Sequence, residues 1–137
     1  MGSVVVDANV FVSFFVERNK SKHDAALRLL AAAEDGTIAG VIPQSVVFEI
    51  AYVLSSQYGV TAGKLATVIR AVTSFPGMRI IDECPWKRIL EIWPDPVSGL
   101  ADAAIVVLAT ANRHDAVATF DRKLANKLSS FGLEPYF

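Results

Sequence analysis

The stretch VVVDANVFVSFFV, residues 4–16, is apolar throughout except for one carboxylate, Asp7, and two small polar groups. Residues 4–6 are β-branched and break off at a polar residue, the mark of a short buried strand. Residues 10–16 read as a short helix or turn, although β-branched and aromatic side chains oppose a helix on propensity alone. Asp7 stands at the junction. A buried carboxylate is costly unless paired or neutralised, yet Asp also favours turns and helix caps. Taken alone, Asp7 reads equally as a turn residue or as chemistry.

The strand-then-helix pattern recurs on the C-terminal side of this stretch. Ser21 is placed to cap a helix over 23–35 that Gly36 stops. Residues 38–42 form a second apolar run, ended by Pro43. In residues 44–58 Val46, Val47, Ile50, Val53 and Leu54 recur at helical spacing, and Gly59 closes the segment. Thr61 caps a helix over 62–75, ended by Pro76-Gly77. Residues 78–81 make a third strand, 85–93 a helix broken by WPDPVSG, and 100–113 an Ala-rich helix. Residues 116–120 are a strand, Asp121 caps the segment DRKLANKLSSFG, and 133–137 add a last short strand. Short apolar strands alternating with helices predict an α/β sandwich with a mostly parallel sheet flanked by helices, in a single domain over residues 1–137.

The chain is 53% hydrophobic and 20% charged, apolar for 137 residues, so part of its surface is expected to meet a partner or a second copy. A formal net charge of −1 excludes bulk attraction to nucleic acid or anionic membrane, and any basic site must be a local patch. One cysteine, Cys84, excludes an intrachain disulfide. The first 16 residues lack the basic start of a secretory signal, and Asp7 interrupts their apolar part. The uncharged runs 36–48 and 50–63 are too short to span a bilayer. The expected location is the cytoplasm.

Four of the 14 acidic residues do not fit a solvated surface. Asp7 follows VVV. Glu49 lies inside SVVFEIAYVL and shares a helix face with Val46, Ile50 and Val53. Asp102 lies inside GLADAAIVVLA, and Asp121 follows VATF. Asp121 alone reads as an N-cap, and Asp102 as a complement to a helix dipole. In a parallel α/β sheet the working site lies beyond the carboxyl ends of the strands, where Asp7 and Asp121 fall. Carboxylates gathered there oppose one another's ionisation unless a cation neutralises them. No His or Cys lies within the four motifs, so an oxygen-only site favours Mg²⁺ or Mn²⁺, ions suited to hydrolysing a phosphodiester.

The four motifs VVVDANVFV, PQSVVFEIAYVL, GLADAAIVVLA and VATFDRKLA, in this order, resemble those of the PIN-domain ribonucleases, and within them the VapC-type toxins of toxin–antitoxin pairs. The resemblance implies a PIN-like three-layer sandwich and metal-dependent cleavage of single-stranded RNA. It makes Asp7, Glu49, Asp102 and Asp121 the catalytic acids, with Asp7, Asp102 and Asp121 as ligands of Mg²⁺ or Mn²⁺. Glu49 then acts through water, and Asn9 and Thr119 order the site. The chain departs from the pattern at Ala8, where Thr or Ser is usual, and after Asp121, where Arg-Lys replaces a further acid. The resemblance also implies a cognate antitoxin and a homodimer, and residues 46–54 and 62–75 are the helices expected to contribute an interface.

RNA needs cations beside the acids. Arg18, Lys20 and Lys22 follow the first motif, and Arg122, Lys123 and Lys127 the fourth. Phe11, Phe14, Phe15, Trp86 and Trp93 read as packing in preference to base-stacking platforms. His23 and His114 have no partner legible in the sequence. Two other readings compete. An aspartate-nucleophile phosphatase also places an Asp after its first strand, but its general acid two residues on is here Asn9. A non-catalytic PIN-fold binding module would ordinarily have lost acids that this chain keeps.

Overall fold

The structure is a computed structural model describing residues 2–137. Strand β1, Gly2–Val6, is followed by helices α1, Ala8–Phe15, and α2, Lys20–Glu34. Then come β2, Ile38–Pro43, α3, Gln44–Tyr58, α4, Ala62–Thr73, and β3, Met78–Ile81. Helices α5, Trp86–Ile92, and α6, Leu100–Ala111, lead to β4, Ala116–Ala118. Helix α7, Arg122–Lys127, passes through a 3₁₀ turn, Leu128–Phe131, into β5, Glu134–Pro135.

The strands lie in the order β3-β2-β1-β4-β5, and every neighbouring pair is parallel. The expected α/β sandwich is therefore present, with helices flanking the sheet. The chain winds outward from β1 through β2 to β3, then restarts on the other side of β1 with β4. The strand order thus reverses between β1 and β4, and a crevice opens at the carboxyl ends of those two strands. Ligands of open α/β sheets bind at such a point.

Local chemistry explains the elements. Helix α1 forms against its propensities because the Asp7 side chain accepts from the Ala8 N–H at its start and Val10, Phe11 and Val12 are buried along it. Full burial of such side chains stabilises by roughly 1.5–3 kcal/mol each, more than the few tenths lost to propensity. Helix α1 packs on α2 and α3, and α3 packs on α4. In α6 every residue from Ala103 to Ala109 is buried. Ile105, Val106, Leu108 and Ala109 join the main core under the sheet, while Ala103, Ala104 and Val107 meet Ile89 of α5 and Val97. A helix apolar all round is one enclosed on all sides, which resolves the IVV run as helix. Gly77 has φ +79°, and a Cβ there would run into the Ala33 carbonyl, so this turn before β3 admits glycine alone.

Helix α2 is capped by Asn19, which accepts from the Lys22 N–H, and not by Ser21, because the helix begins earlier than its apolar pattern. Thr61 stands at the α4 N-cap position without a side-chain cap bond. Strand β4 stops at Ala118, since Thr119 and Phe120 turn toward α1. Both histidines have partners: His23 Nδ1 lies 2.9 Å from the Ser13 carbonyl, and His114 Nδ1 3.0 Å from Ser3 Oγ. Trp86, expected to pack, is 53% exposed, as it lies at the start of the outermost helix α5. Among the described residues no helix is long and apolar enough to cross a membrane.

Candidate active site

The backbone of Asp7 is tied into the sheet by its N–H donating to the Ala118 carbonyl at 2.9 Å, so its side chain leaves β1 at the crevice beside β4. Only 5% of the residue is exposed. Asp7 Oδ1 accepts from the Ala8 N–H at 2.7 Å. Oδ2 accepts from Thr119 Oγ1 at 2.8 Å and from Asn9 Nδ2 at 3.2 Å. Thr119 Oγ1 in turn accepts from Asn9 Nδ2 at 3.1 Å and from the Asp121 N–H at 3.1 Å. The hydroxyl thus uses its one donor and both acceptor positions. Asn9 closes the circuit by accepting the Phe120 N–H at 3.0 Å. The first and fourth motifs are laced together through two side chains, Asn9 and Thr119. Asn9 is a carboxamide that does not ionise, so it cannot serve as the general acid a phosphatase would need at this position.

Asp121 follows two residues later and caps α7, accepting from the Lys123 and Leu124 N–H groups. Glu49 projects from α3, and Asp102 from the first turn of α6. Four different elements thus deliver Asp7, Glu49, Asp102 and Asp121 to the wall of one cavity of about 340 Å³. Ala8 also lines it, so the hydroxyl missing from the first motif is missing from this wall.

The carboxylates act on one another. Burial, and then the charges of Glu49 and Asp121, push Asp7 up to about 6, against the hydrogen bonds from Thr119 and Ala8 that favour its ionised form. Burial, and then Asp7 and Asp121, push Asp102 up to about 6, only partly offset by Lys127. Glu49 is raised by burial and by Asp102. Among the described residues the two ion pairs are Lys20 with Asp24 and His23 with Glu17, so none of the four acids is paired.

This donor set fits a hard divalent cation: it is all oxygen, charged, and held against its own repulsion. It is not a closed cage, for among the described residues no three acidic, His or Cys side chains are drawn close enough to enclose an ion by themselves. Mg²⁺ sites are commonly of this open kind, with one or two carboxylates and the remaining positions left to water and phosphate.

The predicted cations divide. Lys22 lines the cavity, and Arg18 lies over the ring of Tyr58, another wall residue, at 4.8 Å. Arg122 borders an adjoining cavity with Lys22, while Lys123 and Lys127 border a third together with Asp102. Lys20 does not line any of these and pairs with Asp24 on the exposed side of α2. Phe11 is buried, which excludes it as a platform. Sequence reasoning missed Ser13, Gln57 and Tyr58. Spacing held the signal: Asn9 and Ser13 are one helical turn apart on α1, and Glu49, Val53 and Gln57 form an i, i+4, i+8 stripe on α3.

An all-parallel sheet whose switch point carries an acidic cavity defines a class of α/β proteins that gather carboxylates at the carboxyl ends of their central strands. The PIN domain family model matches residues 4–127, and the chain belongs to the PIN domain family. Two solved structures share the fold. The first is VapC20 of Mycobacterium tuberculosis, described as a toxin cleaving the sarcin–ricin loop. It is 14% identical, with a TM-score of 0.70 over 90% of this chain and 93% of that one. The second is PAE2754 of Pyrobaculum aerophilum, 16% identical, with a TM-score of 0.67 over 98% of this chain and 90% of that one. No curated protein sequence matches.

Proposed function

We propose that this chain is a divalent-metal-dependent endoribonuclease acting as a single domain, and the toxin of a type II toxin–antitoxin pair. One observation carries the nuclease reading: four unpaired carboxylates from four elements line one cavity at the switch point of the sheet. Such an arrangement is costly to the fold and has a purpose only if a cation completes it. Membership of the PIN family and likeness to the fold of an RNA-cleaving toxin support the same reading.

Asp7, Asp102 and Asp121 are the residues that would hold Mg²⁺ or Mn²⁺. The ion, when bound, supplies Lewis-acid polarisation of a phosphoryl oxygen and a more acidic water. Asp7 is fixed in position by three donors. Glu49, on the α3 wall and raised by burial and by Asp102, receives a proton as water attacks phosphorus in line with the departing oxygen. The Asn9–Thr119 circuit keeps the first and fourth acids at constant separation through the reaction. Lys22 and Arg18 supply positive charge at the rim for the RNA backbone.

Incubation of the purified protein with single-stranded RNA tests this. Cleavage should require Mg²⁺ or Mn²⁺, stop with chelator, and be lost in Asp7→Asn. Metal-dependent cleavage undiminished in that variant would overturn the assignment. For the toxin role, expression should arrest growth, and the product of a small neighbouring reading frame should co-purify and relieve the arrest. Phe48 and Tyr52, each 70% exposed one turn apart on α3, support an interface there. Light scattering showing a monomer at micromolar concentration would count against the homodimer.

A further inference from the structure

Lys22 lines two cavities. Beyond the acidic one it borders a second, about 280 Å³, whose other walls are Thr119, Phe120, Arg122, Ala125 and Phe137. The two spaces adjoin at Lys22, and Thr119 in the second wall donates its hydroxyl hydrogen to Asp7 in the first. Their chemistries are opposite. The first is walled by four carboxylates. The second has no acidic side chain among its lining residues and is walled by two cations and an aromatic pair.

The aromatic pair is ordered. Phe120 and Phe137 are stacked with ring centroids 4.6 Å apart and planes 16° from parallel, and Lys22 Nζ lies 5.8 Å from the Phe120 centroid. Phe137 nevertheless remains 45% exposed. Phe137 is stacked on Phe120 and meets Tyr136 edge-on at 5.4 Å, and the part of the ring that stays exposed is a surface on which a further flat group can lie.

We infer that this second cavity is the subsite for a nucleotide next to the cleaved bond, with its unpaired base against the Phe120–Phe137 pair and its phosphate held by Lys22 and Arg122. The inference rests on the ribonuclease reading and adds to it a means of selecting the strand. A base within a duplex has both faces covered by its neighbours, whereas a single-stranded base can leave its stack for an aromatic surface. Every base has such a face, so the subsite selects strandedness and not sequence. The cations attract a polyanion that the acidic cavity alone would repel, and Lys22, shared by both spaces, directs the strand from one to the other.

Steady-state cleavage of a short fluorescent single-stranded RNA in Mg²⁺ tests the subsite, using the wild type, Phe137→Ala, Phe137→Trp and Arg122→Ala. Phe137→Ala should raise KM roughly tenfold, a typical loss for one stacked base, and leave kcat and the salt dependence of binding unchanged. Phe137→Trp should restore KM. Arg122→Ala should weaken binding and lower the salt slope by about one. The duplex form of the same RNA should bind Phe137→Ala and wild type alike. Cleavage by the wild type with an unchanged KM in Phe137→Ala overturns the subsite and leaves the nuclease reading standing. A wild type that neither binds nor cuts the RNA overturns both.

Discussion

The two ends of strands β1 and β4 treat an aspartate in opposite ways. At the amino end, Asp115 is exposed and accepts the Ser3 N–H at 2.9 Å, and His114 turns its Nδ1 to Ser3 Oγ. The carboxylate serves one backbone donor and is otherwise in water. At the carboxyl end, Asp7 is buried, holds three donors, and faces two other acids that oppose its charge. Both aspartates adjoin strands and both satisfy backbone N–H groups, so hydrogen bonding does not separate a structural acid from a functional one. Opposed charge does. An environment that resists ionisation reduces stability until a ligand enters, and such sites are where function is concentrated.

The largest effect expected from breaking this contrast is at Asp7. Asp7→Asn should reduce RNA cleavage by roughly 10²-fold or more, the scale for losing a principal electrostatic group, as read by initial rates in Mg²⁺. The same change removes the opposed charge. An amide at position 7 also puts an NH2 where one carboxylate oxygen accepted, which costs about 1–3 kcal/mol for a donor left unpaired, so the readout is the pH dependence of stability and not its sign. Metal-free wild type should lose stability relative to Asp7→Asn as pH rises from about 4 to about 7, by up to about 3 kcal/mol for a group raised from 3.8 to about 6. Chemical denaturation with chelator across that interval measures the difference. Parallel pH profiles together with lost activity would mean that Asp7 is an ordinary structural cap.

Thr119→Val should come next. It strands the donors of Asn9 and Asp121 and deprives Asp7 of its shortest side-chain hydrogen bond. Unfolding should become easier by about 1–3 kcal/mol. The hydroxyl holds Asp7 down, so its loss raises Asp7 further, and the acid limb of the pH–rate profile should move to higher pH. An unmoved limb with lowered stability would leave Thr119 a purely structural role.

pH and metal form a third comparison. Asp7 and Asp102 bind their protons more tightly folded than unfolded, so their contribution to stability is fully present below the unfolded value, near 3.8. It is lost as pH rises through about 6. Metal-free protein should lose stability over that interval. A cation needs the ionised forms, so the rise in melting temperature on adding Mg²⁺ should be small at about pH 5 and larger at about pH 7. A metal effect independent of pH would place the ion elsewhere.

The smallest effect should be at the opposite end of the sheet. Asp115→Asn keeps an acceptor for the Ser3 N–H and should cost under about 1 kcal/mol by denaturation, with cleavage unchanged. Lys20→Ala, at a residue that lines none of these cavities and pairs with Asp24, should likewise leave KM unaltered, in contrast to Lys22→Ala, which should raise it.

Asp7 was legible as either a cap or chemistry, and it is placed to serve as both. A carboxylate has two oxygens: Oδ1 caps α1 while Oδ2 joins the Asn9–Thr119 circuit, and the residue still faces the cavity. Asp121 likewise caps α7 and lines the same space. Glu49 was legible because helical spacing put it on a face shared with Val46, Ile50 and Val53. Lys20 and Lys22 were equivalent as neighbours in a basic segment, and only the helix they lie on turns them about 160° apart, one to the cavities and one to Asp24.

By itself, the sequence determined the local terms: β-branched runs that make strands, apolar spacing that makes helices, and four carboxylates in surroundings too apolar for solvated acids. Those depend on neighbours within a few residues. Tertiary structure alone decided which side of β1 receives β4, and hence that residues 7 and 121 adjoin across a switch point. It also decided that Lys22 stands between an acidic and an aromatic cavity, and that Phe137 at the end of the chain lies on Phe120. Contacts between distant residues depend on chain crossover and packing, which no local pattern encodes.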